Sequence, residues 1–138
     1  FGEAMKWYLK AADQTNLSAF CNIGDMYRDG VGVASNSAEA LKWYKKAADR
    51  GDASGQSKFA EAYYWGRGVA QDYLTAAEWY KKAADQGVAS AQYNLAICYI
   101  YGHGVTGDPE QARIWLRKAA EQGHSEAARA LNTLFKGR

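Results

Sequence analysis

AAEWYKKAADQG, residues 76–87, decides how this chain folds, because close copies of it occur three more times. Residues 40–51 read ALKWYKKAADRG, residues 4–15 AMKWYLKAADQT and residues 112–123 ARIWLRKAAEQG. Their tryptophans, Trp7, Trp43, Trp79 and Trp115, lie 36 residues apart with no insertion. A fixed period in this range is the mark of supersecondary units that stack, each burying the face its neighbour offers. The chain therefore reads as one run of repeats, residues 17–52, 53–88 and 89–124. Half repeats flank it at 1–16 and 125–138.

Each repeat divides into two helices. The quoted stretch is the second, or B, helix; its Trp and Ala positions fall at i, i+4 and form an apolar stripe. Trp79 is expected to be buried between its own first helix and the next. The first, or A, helix carries Ala19, Ile23 and Tyr27 at i, i+4, i+8, and the same slots hold Gly55, Phe59, Tyr63, then Ala91, Leu95, Tyr99, then Ala127, Leu131, Phe135. The slot after the middle one is small in three repeats (Gly24, Ala60, Ala96) and Asn132 in the last, which predicts close helix–helix approach. A Gly-x-Gly-Val turn ends the A helices at Gly30, Gly66 and Gly102, since glycine takes positive φ without steric cost. Asn36, Asp72 and Asp108 follow as N-caps, and Asn36 with Glu39, and Asp108 with Gln111, resemble capping boxes. Residues 3–13 read as a B helix without an upstream partner, so a longer parent protein is expected.

Composition excludes several function classes. Seventeen basic and fifteen acidic residues leave a net charge of +2, with no electrostatic demand for nucleic acid. No apolar stretch approaches the roughly 20 residues that span a bilayer. Cys21 and Cys98 occupy different slots two repeats apart. Stacked helices advance about 8–10 Å per repeat and a disulfide needs Cα atoms within about 7 Å, so no bridge between them is expected. Two free thiols favour a reducing compartment.

Read from Ala91 to Gly123, the pattern A-x3-LA-x2-Y-x2-G-x-GV-x2-D-x3-A-x2-W-x2-KAA-x2-G resembles the Sel-one-like repeat, a relative of the tetratricopeptide repeat. The resemblance covers essentially the whole chain; Thr15 in place of Gly, Asn132 and Phe59 are local departures. It implies an all-α fold, an α/α right-handed superhelical solenoid of antiparallel helix pairs whose concave face is lined by A helices. It also implies a scaffold or adaptor that binds other proteins, common in bacterial signalling and envelope proteins. Some secreted relatives carry a cysteine pair in every repeat, and this chain does not.

Chemistry is sparse. Gly102 to Gly107 fits GxGxxG, but a helix and not a strand precedes it, so it reads as a turn. His103 and His124 occupy slots that vary between repeats and read as surface positions; zinc would need three or four converging ligands. Cys98 follows the core stripe, whereas Cys21 maps to the groove and reads as accessible. No nucleophile has an adjacent base. No enzyme, metal or cofactor is expected. The lysines of the B helices, interrupted by Asp49, Asp85 and Glu121, read as a solvated outer face.

The aromatic residues say more. The repeat accounts for twelve of nineteen. Phe1, Phe20, Tyr64, Trp65, Tyr73, Tyr93 and Tyr101 remain, and four of these fall on the A helices of the second and third repeats. By the tetratricopeptide resemblance those slots face the groove. Glu61, Tyr64 and Trp65, with Tyr93, Ile97, Ile100 and Tyr101, are the candidate ligand-binding residues, because bulky side chains that a fold does not require mark binding surfaces. The expected partner is a peptide or protein segment held in the concave groove by a monomer. The alternative is a carbohydrate or peptidoglycan fragment stacked on Trp65, Tyr93 and Tyr101.

Overall fold

The computed structural model describes residues 3–4, 6–7, 17–32 and 35–135. Among them seven helices succeed one another with no strand: α1 (Leu17–Asp29), α2 (Ser37–Asp49), α3 (Ala53–Trp65), α4 (Tyr73–Asp85), α5 (Ala89–Tyr101), α6 (Pro109–Glu121) and α7 (Ser125–Leu134). Glu3, Ala4, Lys6 and Trp7 are helical too. The rest of the expected first helix with Thr15, Val33 of the first turn, and the tail from Lys136 lie outside the described residues. The odd-numbered helices are the A helices and the even-numbered ones the B helices. Packing is densest within the pairs α1–α2, α3–α4 and α5–α6, and continues from each pair to the next. This is an all-α superhelical repeat fold.

Alanine makes the stacking close. Ala47, Ala83 and Ala119 recur every 36 residues and are fully buried, as are Ala60 and Ala96 of the small slot. At Gly24 the same slot is pressed further: a Cβ there would come within 2.5 Å of the Tyr44 ring. A larger side chain at any of these positions would push two helices apart.

The B-helix core differs from the expectation in one respect. Trp79 is half-buried, while its neighbour Tyr80 is 1% exposed. Tyr44, Tyr80 and Leu116 are the inward residues; Trp43 and Trp79 beside them are half-buried, while Trp115 is buried. Successive residues on a helix point about 100° apart, so only one of two adjacent apolar residues can face the next helix squarely. Trp79 lies edge-on to Phe59 at 5.2 Å. Its outer side is covered by Lys82, whose ammonium sits 4.2 Å from the ring centroid; Lys46 over Trp43 (4.1 Å) and Lys118 over Trp115 (4.4 Å) repeat the contact. The outer lysines thus shield tryptophan rings by cation–π contact as well as meeting solvent.

The turns follow the sequence closely. Asn36, Asp72 and Asp108 each accept from a backbone N–H in the first turn of the following helix, at 3.0, 3.2 and 3.2 Å. The capping boxes do not close, because the N–H groups of Asn36, Asp72 and Asp108 are already donated to the carbonyls of Tyr27, Tyr63 and Tyr99. Each B helix is thereby fastened to the helix before it, and Glu39 pairs instead with Lys42 at 3.5 Å. Gly68 has φ +76°, and a Cβ on it would lie 2.5 Å from the carbonyl of Ser37 at the start of α2; Gly104 meets Tyr73 of α4 in the same way. The second glycine of the turn is needed because the preceding repeat's backbone passes there.

Candidate ligand-binding site

The A helices present a surface whose chemistry changes along the chain. At its first end the carboxylate of Asp25 on α1 accepts from the Tyr44 hydroxyl at 2.6 Å and pairs with Lys58 of α3 at 3.1 Å. Arg28 reaches Asp25 at 3.4 Å and Asp29 at 2.9 Å. The pairing with Asp29 holds that carboxyl below its usual range. One period on, Glu61 replaces Asp25 and is bound by Arg67 at 3.0 Å. Another period on, the slot is Ile97. A polar, internally paired surface gives way to an apolar one.

Glu61 lines a small cavity with Arg28, Lys58 and Arg67. The other six candidate residues lie around two adjoining cavities. The first, about 350 Å³, is lined by Tyr64, Trp65, Tyr80, Tyr93, Asn94, Ile97 and Tyr101. The second, about 390 Å³, shares Tyr93, Ile97 and Tyr101 and adds Ile100, Glu126, Arg129 and the apolar face of α7. Trp65 and Tyr101 are the most open of the six, 59% and 67% exposed. Tyr64 and Tyr93 are half-buried. Burial raises the Tyr64 phenol to about 12 and the Tyr93 phenol above its ordinary value, so both stay neutral across the physiological range.

The histidines are built into this surface, contrary to their reading as variable surface positions. His103 Nδ1 is hydrogen-bonded to the Tyr64 hydroxyl at 2.8 Å. Its ring lies face to face with Tyr73 at 4.1 Å and stacks on Tyr101 at 5.5 Å. It holds Tyr64 and Tyr101 in place from behind. His124 accepts from Ala127 N–H, capping α7, and stacks on Tyr93 at 4.8 Å. His103 was hidden in the sequence because its slot holds Val31 and Arg67 in other repeats, and its one signal was its place two residues after the extra Tyr101. His124 stands two periods after Asp52, which caps α3 in the same way, so the signal for it was a recurring N-cap slot.

Two other expectations change. Cys21 is buried, not accessible, and its thiol donates to Asp52 at 3.4 Å. Phe20, one of the seven aromatics that the repeat does not explain, is a core residue packed on Trp43 at 5.9 Å. Cys98 is fully buried, as expected, and both cysteines are free. Among the described residues no group of His, Cys, Asp and Glu is placed to hold a metal ion. No described helix is long and apolar enough to cross a membrane.

Stacked helix pairs carrying an aromatic surface define a helical repeat protein of the tetratricopeptide-like kind. The Sel1 repeat family profile matches residues 1–16, 18–52, 53–88 and 89–124, and the chain belongs to that family. It is similar to c5321, a protective antigen of uropathogenic Escherichia coli with an SLR fold: TM-score 0.91, 39% identity over 97% of this chain. A Sel1 repeat protein from Oxalobacter formigenes gives 0.85 and 36% over 91%. Cysteine rich protein B of Helicobacter pylori gives 0.68 and 25% over 87% of this chain and 92% of its own. The chain spans 29% of the first of these proteins and 51% of the second. A search of curated proteins found no match.

Proposed function

We propose that this chain is a non-enzymatic interaction module that holds a peptide or protein segment against α3 and α5, in the concave groove of its second and third repeats. Sel1 repeat proteins are typically protein-interaction modules, and folds of this kind are generally non-catalytic scaffolds. The observation that carries the reading is the exposure of Trp65 and Tyr101 on either side of an apolar cavity. Neither side chain is required by the repeat, and leaving two large aromatics in water has no folding rationale. Aromatic anchors set in such cavities are the usual carriers of binding energy. Panning a random peptide library on the wild type, with Trp65→Ala as counter-selection, tests the reading. Enriched sequences that bind only the wild type support it. No enrichment, beside a positive glycan array, would transfer the site to a carbohydrate.

A further inference from the structure

Within that groove, Tyr80 carries an unused hydrogen-bond donor. The residue is 1% exposed, yet it lines the aromatic cavity, its ring 6.1 Å from that of Tyr64. Its counterpart one period earlier, Tyr44, spends its hydroxyl on Asp25. The acid that corresponds to Asp25 on α3 is Glu61, which Arg67 has drawn to itself. Among the described residues the Tyr80 hydroxyl therefore has no hydrogen-bond partner. Burial pushes the phenol above its ordinary value, so it stays protonated and able to donate. Asn94 lines the same cavity, and its side-chain amide is also unpartnered among the described residues. The hydroxyl of so enclosed a ring and the amide of the half-buried Asn94 are free to bond a group that enters the cavity.

We propose that this cavity is an anchor subsite for one bulky uncharged side chain, and that the peptide group beside that side chain is held by the Tyr80 hydroxyl and the Asn94 amide. The proposal rests on the groove-binding reading above and names what the groove selects. The walls are the rings of Tyr64, Trp65, Tyr93 and Tyr101, with Ile97. No Lys, Arg, Asp or Glu lines the cavity, so a charged group would enter without a counterion. Tyr64 is committed to His103, and Trp65, Tyr93 and Tyr101 carry their polar atoms on open or half-buried rings. The Tyr80 hydroxyl and the Asn94 amide match the carbonyl and N–H of a single peptide group.

The test is a heteronuclear NMR titration of the isotopically labelled wild-type protein with three probes: N-acetyl-phenylalaninamide, N-acetylglucosamine and tetramethylammonium. N-acetyl-phenylalaninamide should shift the amides of Trp65, Asn94 and Tyr101, and should bind at least fivefold more tightly than either other probe. Tyr80→Phe keeps the ring and removes only the hydroxyl. It should weaken the binding of N-acetyl-phenylalaninamide threefold or more with an unchanged thermal midpoint, and Asn94→Ala should do the same. If Trp65→Ala weakens that probe while Tyr80→Phe and Asn94→Ala bind it as the wild type does, the hydrogen-bonding subsite is overturned and the groove reading survives. Tighter binding of the sugar or the cation, or no shift in the groove amides, overturns the subsite outright. Failure of the groove reading itself shows separately, as library peptides that bind Trp65→Ala as well as they bind the wild type.

Discussion

The side-chain amide of Gln86, at the end of α4, donates to Oε1 of the buried Gln56 in the first turn of α3 at 2.8 Å. Thirty-six residues on, Gln122 and the buried Gln92 make the same bond at 2.9 Å. Gln86 also donates to the carbonyl of Gly51, and Gln92 to that of Ala84. The clip ties the start of each A helix to the end of its own B helix. In the first repeat Phe20 and Arg50 occupy the two slots, and the guanidinium lies 5.2 Å over the ring instead. A polar clip and a cation–π contact thus serve one position.

The clip sets a measurable coupling. Gln92→Ala should cost about 1 kcal/mol, because two hydrogen bonds are lost, one to the enclosed carbonyl of Ala84 and one from the exposed amide of Gln122, which water can satisfy. A double-mutant cycle with Gln122→Ala, read in urea melts, should return a coupling of about 0.5 kcal/mol or more. Strict additivity would mean that the pair contributes nothing jointly.

Burial orders the core substitutions. Tyr80→Ala should lose about 3–5 kcal/mol of stability, as expected for a fully enclosed aromatic. Trp79→Ala should lose less, since one side of its ring already meets only the Lys82 chain and solvent. Denaturant midpoints at equal slope would give the order, and a reversed order would contradict the inward placement of Tyr80.

Two glycines separate strain from space. Gly87 has φ +96° with nothing near its Cβ position, so Gly87→Ala should cost only the strain of that conformation, about 1 kcal/mol. Gly104 has φ +76° and faces the Tyr73 backbone, so Gly104→Ala should cost clearly more. Equal losses in thermal melts would show that the turn is not packed against the preceding repeat.

Both thiols are held protonated by burial, which raises Cys21 and Cys98 from 9.0 to about 12; at Cys21 the Asp52 carboxylate adds to the effect. The native state therefore binds these protons more tightly than the unfolded chain does. Their contribution to stability is whole below about pH 9 and falls as pH rises from 9 toward 12. At pH 8 a thiol reagent should react with the native protein only as fast as it opens, and at once in denaturant. Rapid labelling of native Cys21 would contradict its burial.

The architecture was legible because the repeat states each structural requirement several times over. Trp, Ala, Gly and the N-cap residue return at 36, and a slot filled alike in repeat after repeat is a slot the fold needs. What the period could not settle was rotation. Trp79 and Tyr80 both recur as apolar neighbours, and only packing decides which turns inward. Nor could it show pairings outside the pattern. His103 stands where Val31 and Arg67 stand elsewhere, so its stack on Tyr73 left no periodic trace. Cys21 looked open because its slot faces the groove in a neighbouring repeat, as Ser57 or Tyr93; Asp52 and the start of α3 close over it. The clip was missed because it occurs twice and its partners lie thirty residues apart. The aromatic surface was legible by subtraction, though that method also caught Phe20, which is core.

The most direct test of the account is the dissociation constant, by calorimetry, of one library-selected peptide with the wild type, Trp65→Ala and Tyr101→Ala. Each substitution should weaken binding about tenfold or more, the equivalent of about 1.4 kcal/mol, while shifting the thermal midpoint by no more than about 2 °C, since neither side chain supports the core. Wild-type affinity retained by both variants would contradict the central claim and put the binding surface elsewhere on the molecule.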